Sequence, residues 1–270
     1  MKELLIRSVS GLVMGALLLA CVFVSPWTWA ALLLFIIAVG TFEMSRLLQM
    51  NTPVGIIIGE ILSVCFFVLP ALVALQVIPF RCLLFELLIV MMPFLYALFS
   101  VQHDAKPIFT YLFASFVFLS LPSSLLLFMY CDDLFDQFAG PRLIIMVFCI
   151  LWVNDIFAYL TGRLLGRHKL FSRISPGKTI EGSIGGLSFT LVSLIVFSYC
   201  SHWFPVSHAI GLGIVAVVFG TLGDLCESML KRQAGVKDSG KLIPGHGGIL
   251  DRFDSIMFSV PFIFVYLLLL

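Results

Sequence analysis

The stretch Ile210-Gly211-Leu212-Gly213-Ile214-Val215-Ala216-Val217-Val218-Phe219-Gly220-Thr221-Leu222-Gly223-Asp224-Leu225-Cys226-Glu227-Ser228-Met229-Leu230-Lys231-Arg232 decides how the chain is to be read. It is apolar up to Gly223 and then carries Asp224, Glu227, Lys231 and Arg232 within its last nine positions. A bilayer core about 30 Å thick needs about 20 mostly apolar residues per helix. This run therefore predicts a membrane helix whose last turns leave the hydrocarbon with ionisable groups attached. On that helix Asp224, Glu227, Ser228 and Lys231 fall at i, i+3, i+4 and i+7, which is one face. Ionisable groups at such a depth are costly and usually line a polar cavity or meet a partner. One reading is an internally paired helix end with a Glu227–Lys231 salt bridge; the other is a site, for which the second carboxylate and the hydroxyl are the extra parts.

The rest of the chain is of the same kind. Of its 270 residues 61% are hydrophobic and 11% charged, against about 25% charged in ordinary soluble domains. That excludes disorder and collagen. A net charge of +1 leaves no basic excess for nucleic acid. The seven cysteines (21, 65, 82, 131, 149, 200, 226) form no CxxC pair and read as small hydrophobes, not as disulfide or zinc ligands. Nine spans are predicted, at 8–25, 27–45, 54–78, 82–101, 107–130, 142–162, 184–204, 207–230 and 254–270. The first follows Lys2 and Arg7 and reads as a retained span, since no small-residue cleavage site follows it. Pro70, Pro93, Pro122 and Pro261 are expected to kink their helices. The pairs Gly11/Gly15 and Gly55/Gly59 read as close packing, or alternatively as a homodimer contact. With the N-terminus cytoplasmic, 14 of the 16 Lys and Arg face inward and only Arg81 and Arg142 face out, beside the acidic Asp132, Asp133 and Asp136. The positive-inside rule then sets the C-terminus outside. The fold class is an all-α polytopic membrane bundle. Residues 1–141 form a scaffold of five spans, and 142–270 a catalytic region with cytoplasmic loops 163–183 and 231–253.

The second of those loops runs Lys237-Asp238-Ser239-Gly240-Lys241-Leu242-Ile243-Pro244-Gly245-His246-Gly247-Gly248-Ile249-Leu250-Asp251-Arg252-Phe253-Asp254. Its glycines let backbone approach a ligand closely, and Lys237, Lys241 and Arg252 suit phosphate oxygens. Asp254 reads as a helix cap or a ligand, and His246 as a turn residue or a ligand. Carboxylates at helix ends beside cations fit Mg²⁺, which prefers one or two carboxylates plus substrate phosphates. In the first loop Gly177-Lys178-Thr179 ends like a phosphate-binding P-loop, but Ser172 stands where that motif needs glycine and no strand precedes it. What remains is a lysine turn before a helix N-terminus. Just upstream, Asp155, Tyr159 and Gly162 share a helix face.

From Ser228-Met229-Leu230-Lys231-Arg232 through Pro244-Gly245-His246-Gly247-Gly248-Ile249-Leu250-Asp251-Arg252-Phe253-Asp254, the chain resembles the signature of the phosphatidate cytidylyltransferases (CDP-diacylglycerol synthases). Asp155, Tyr159, Gly162 and the Ile174-Ser175-Pro176, Lys178-Thr179 and Glu181-Gly182 stretches are similar to the same family, with Gly177 where a basic residue is expected. The resemblance implies the reaction CTP + phosphatidate → CDP-diacylglycerol + pyrophosphate with Mg²⁺, in a bacterial inner membrane with the site on the cytoplasmic side. It implies Asp224 and Asp251 as metal ligands, with Glu227 and Asp254 as further candidates. Lys231, Arg232, Lys237 and Arg252 would hold the triphosphate or the lipid phosphate; Asp224, Asp251, Lys231 and Arg252 form the catalytic set. Ser175, Lys178 and Thr179 would contact the nucleotide or the second phosphate, and Asp155 would orient a cation. Glu181, Ser228, Asp238, His246, Gly247 and Gly248, within the matched motifs, complete the substrate-binding set. A transporter would require paired broken helices and repeat symmetry, and a CDP-alcohol phosphotransferase an Asp-Gly…Ala-Arg run that is absent from the sequence.

Overall fold

The computed structural model describes residues 2–99, 106–131, 138 and 140–270. The acidic segment with Asp132, Asp133 and Asp136 lies outside the described residues, as do the side chains of Lys2 and Arg7. Proline punctuates the helix starts. Pro26, Pro53 and Pro141 open α2 (Pro26–Leu47), α3 (Pro53–Ala74) and α7 (Pro141–Leu165), where a missing N–H costs nothing. α1 (Lys2–Val24) passes into α2 through Ser25, whose hydroxyl accepts from Thr28 N at 3.1 Å while Ser25 N donates to the Thr28 hydroxyl at 3.1 Å. That reciprocal cap fixes a hairpin between the first two helices.

After α4 (Phe85–Phe99), α5 (Lys106–Ser115) continues through a π-helical turn, Phe116–Ser120, into α6 (Leu121–Cys131). The widened turn sits just before Pro122, whose ring removes a donor from the ladder. Two serines tie the turn in place: Ser124 Oγ donates to Ser120 O and Ser120 Oγ to Ser63 O of α3, both at 2.8 Å. α8 (Ile180–Ser201), α9 (Val206–Gln233) and α10 (Leu250–Leu268) complete the bundle. Helix pairs α7/α8 and α9/α10 pack along their lengths, and α10 also rests on α6. The core centres on α2, where Trp29, Leu33, Ile36, Ile37 and Met44 are buried. Outward-facing side chains such as Leu12, Phe113 and Leu164 are large, apolar and exposed, as a lipid-facing surface requires.

Among the described residues six helices are long and apolar enough to cross a membrane: α2, α3, the continuous Lys106–Cys131 rod, α7, α8 and α9. The chain is therefore multi-pass. The three other expected spans fall on α1, α4 and α10. Ser8–Val24 is a shorter apolar helix. α4 has 15 residues, about 22 Å of helix. The first turns of α10 carry Asp251, Arg252 and Asp254, so too few uncharged residues follow. Helices also outrun the predicted spans: α7 continues to Leu165 and α9 to Gln233, because backbone hydrogen bonding does not stop where hydrophobicity does.

One element departs from the all-α reading. Within the expected loop 163–183, strands β1 (Lys169–Phe171) and β2 (Ser175–Thr179) pair antiparallel, Lys169 opposite Thr179 and Phe171 opposite Ser175. Thr179 then caps α8, its hydroxyl accepting from Gly182 N at 3.1 Å, so that helix begins four residues before the predicted span. The cysteines among the described residues are all free.

Of the two glycine pairs, Gly59 has a visible use within one chain. A Cβ there would overlap the ring of Tyr111, which is fully buried between α3 and α5. Gly59→Leu should therefore destabilise the scaffold by roughly 1–3 kcal/mol, the usual cost of overpacking. Thermal unfolding in detergent checks this; an unchanged midpoint would show that the contact can rearrange freely.

Candidate active site

Helix ends bring the polar residues together. Asp155 lies towards the end of α7, Asp224 and Glu227 near the end of α9, and Asp251 and Asp254 in the first turns of α10. Because α9 and α10 are antiparallel neighbours, the last turns of one face the first turns of the other. Ligand atoms of Asp224, Glu227 and Asp254 all lie within 4.8 Å of one another. Glu227 is completely buried, and its Oε1 accepts no hydrogen bond.

Lysines interleave with these carboxylates. Lys178, at the end of the hairpin, forms an ion pair with Asp224, which also accepts from Ser228 Oγ at 3.2 Å. Lys231 pairs with Glu227, as the i,i+4 reading anticipated, and reaches across to Asp251 Oδ1 at 2.6 Å. Asp251 sits differently from Asp224. Its Oδ2 accepts from Ser239 N at 2.9 Å, Ser239 Oγ at 3.0 Å and Gly248 N at 2.8 Å. Burial alone would raise the Asp251 carboxyl, but Lys231 and the Gly248 and Ser239 backbone N–H groups outweigh it and hold it below the ordinary aspartate range. Both Asp251 oxygens are engaged by protein donors that clamp the 237–249 loop. The carboxylates whose oxygens converge are Asp224, Glu227 and Asp254, the first two also ion-paired with Lys178 and Lys231.

Two polar hollows flank this cluster. One, about 420 Å³, lies between α7, the hairpin, α8 and α9; Asp155, Tyr159, Gly162, Ser175, Lys178 and Asp224 are on its walls. The helical face assigned to Asp155, Tyr159 and Gly162 is thus one wall of a cleft. The other, about 460 Å³, is enclosed by the glycine loop and Arg252. Several expected contacts have other duties. Glu181 accepts from Arg167 N at 3.0 Å and from His168 N, and pairs with His168 Nδ1 at 2.6 Å, fastening the hairpin to α8. Arg232 donates to Ile174 O at 3.4 Å and Val236 O at 3.3 Å, tying the hairpin turn to the end of α9. Thr179 accepts from Gly182 N in its cap and also lines the first hollow, and Asp254 Oδ1 accepts from Ser255 N at 2.6 Å. His246 Nδ1 lies 2.8 Å from Ser10 Oγ on α1, while its neighbours Lys237, Asp238 and Gly247 line the second hollow.

A comparison with known families fits this constellation: the model of the cytidylyltransferase family matches residues 5–270. The chain belongs to the cytidylyltransferase family. Over 165 residues it is 44% identical to a phosphatidate cytidylyltransferase of Staphylococcus epidermidis, 42% to one of Staphylococcus aureus and 41% to one of Staphylococcus saprophyticus. Each match spans 61% of this chain and 63% of the relative.

One residue of this cytidylyltransferase-family site was not singled out by sequence reasoning. Glu43 of α2 is 3% exposed. Its Oε1 accepts from Ile249 N at 3.0 Å; its Oε2 accepts from Leu250 N at 3.0 Å and Ser239 Oγ at 2.9 Å. Gly248 packs so closely on Glu43 and Ser239 that any Cβ would overlap them, and Gly247 holds φ +84° with Asp251 Oδ2 2.5 Å from where its Cβ would be. A lone glutamate inside an otherwise apolar span was the available signal.

Removing Glu43 would strand two backbone donors, Ile249 N and Leu250 N, at about 1–3 kcal/mol for each buried unsatisfied group, while Ser239 Oγ would keep Asp251 as acceptor. Glu43→Ala should lower thermal stability and speed tryptic cleavage after Lys237 and Lys241, with Glu43→Gln intermediate. Cleavage at the wild-type rate in both variants would mean that the loop is held by Asp251 alone.

Proposed function

We propose that this chain is a phosphatidate cytidylyltransferase, converting CTP and phosphatidate into CDP-diacylglycerol and pyrophosphate at the cytoplasmic face of a bacterial inner membrane. The observation that carries this reading is the convergence of Asp224, Glu227 and Asp254 at helix ends, flanked by two cation-bearing hollows. The topology proposed is nine spans with the N-terminus inside and the C-terminus outside. The region 142–270 carries the chemistry, and 1–141 supplies a scaffold and the Glu43 anchor.

In this reaction an oxygen of the lipid phosphate attacks the α-phosphorus of CTP. A new P–O bond forms, the bond to the β-phosphate oxygen breaks, and pyrophosphate departs. A phosphate monoester is already largely ionised at neutral pH, its second pKa being about 6, so no strong general base is needed. Positioning and charge neutralisation then carry the catalysis. The buried, hydrogen-bond-free oxygen of Glu227 and the adjacent Asp224 and Asp254 oxygens fit a hard divalent cation, and these three are the proposed Mg²⁺ ligands. Bound there, Mg²⁺ would neutralise charge on the triphosphate. Asp251, which the sequence placed beside Asp224 as a ligand, is proposed as a positioning residue, holding Lys231 and the glycine loop in register. Asp155 and Lys178 present one negative and one positive group to the α7/α8 cleft, where Ser175 adds a hydroxyl.

Asp224→Asn should reduce CDP-diacylglycerol formation from CTP and phosphatidate by roughly 10²-fold or more, the scale set by losing one transition-state charge contact. Labelled CTP followed into lipid by purified, folded protein reads this out. Turnover within threefold of wild type would remove Asp224 from the site, and no CTP-dependent lipid product from the wild-type chain would remove the reaction itself.

A further inference from the structure

The cations assigned to phosphate by the sequence are of two kinds. Lys178 is paired with Asp224, and Lys231 sits between Glu227 and Asp251. Lys237, Lys241 and Arg252 are exposed and form no ion pair among the described residues. All three line one hollow of about 460 Å³, closed on its other sides by Asp238 and the Ile243–Gly247 turn. That turn is internally fixed: Ile243 N donates to Gly247 O and His246 N to Ile243 O, both at 2.9 Å.

The frame around the hollow is fixed as well. Ser239, beside one wall, and Gly248, Ile249 and Leu250, beside the other, are held by the buried Glu43 and Asp251 carboxylates. Side chains of like charge would separate if the loop were free to open. Here hydrogen bonds made elsewhere hold the backbone, so the cationic wall is organised before any ligand arrives. No residue lines both this hollow and the α7/α8 cleft. Both nevertheless border the carboxylate cluster, since Asp224 lines the cleft and Arg252, on the wall of the hollow, lies between Asp251 and Asp254 in the chain.

Resting on the cytidylyltransferase reading, we propose that the Lys237–Lys241–Arg252 hollow is the subsite for the two terminal phosphates of the nucleotide, and that the Lys178 cleft takes the lipid phosphate. Those terminal phosphates leave together when the α-phosphorus bond breaks. The same hollow therefore binds inorganic pyrophosphate, which inhibits as a competitor of CTP and not of phosphatidate. Uncommitted, solvent-facing cations suit a ligand that enters from water and must leave again. The paired Lys178 is more enclosed, its side chain 29% exposed, in a cleft walled by α7, α8 and α9.

Full-length protein in phosphatidylcholine nanodiscs, titrated calorimetrically with inorganic pyrophosphate, tests the assignment. Saturable binding is expected, weakened at least tenfold by Lys241→Ala and less than threefold by Lys178→Ala, with dioctanoyl phosphatidate unable to displace it. Lys241 is exposed, so the variant should keep the wild-type melting temperature. No saturable binding, a larger loss from Lys178→Ala than from Lys241→Ala, or displacement by phosphatidate would overturn the proposal. If any of these occurs while CDP-diacylglycerol still forms, only the division of the site fails. Lys241-dependent binding without lipid product would instead leave the pyrophosphate pocket standing and remove the reaction.

Discussion

A carboxylate withdrawn from water must find donors or a cation for each of its oxygens, or it costs several kcal/mol. That demand organises the polar end of this molecule. Glu43 and Asp251, 3% and 9% exposed, meet it with backbone N–H groups from one short loop, the Ser239 hydroxyl and Lys231. Ser239 donates to both carboxylates, so the two anchors act on a single point of the chain. A glycine-rich segment that would otherwise sample many conformations is thereby held against the bundle. Gly248 at the contact with Glu43, and Gly247 in its left-handed conformation, are what let the backbone come so close.

The same rule separates residues that organise the site from those left to act. Asp251 and Glu181 have both carboxylate oxygens engaged by the protein. Within the carboxylate cluster, Glu227 is fully buried and has an oxygen with no donor. A buried polar atom in that state points to a ligand more directly than an exposed one, because its desolvation has no return within the folded chain. Lys231 links the two classes, one ion pair reaching the organising carboxylate and the other the unsatisfied one.

Much of this was legible in the sequence because it depends on local periodicity. The one-sided placement of Asp224, Glu227, Ser228 and Lys231 follows from 3.6 residues per turn, and the Glu227–Lys231 pair is a neighbour contact on a single helix. The apolar runs predict the long helices, which continue past the spans where Arg163, Lys231 and Arg232 carry the hydrogen-bond ladder into polar surroundings. The β1–β2 hairpin was not legible. Its strands are three and five residues long and have no alternating pattern; they exist through pairing and through the grip of Glu181 on Arg167 and His168.

Composition and spacing alone determined that the chain belongs in a membrane, that it is built of helices, and that its charged groups gather in two segments of the second half. These follow from solvation and helix periodicity, which act over a few residues at a time. Only the tertiary structure decided which carboxylates converge, that Asp251 organises a loop while Asp254 joins Asp224 and Glu227, and that the loop is anchored by Glu43, 196 residues away from Ser239 in the chain. Sequence spacing gives the face of a helix on which a side chain lies. Whether that face meets a cation, a backbone donor or an open hollow depends on which helix is packed opposite, and that is settled by the fit of the whole core.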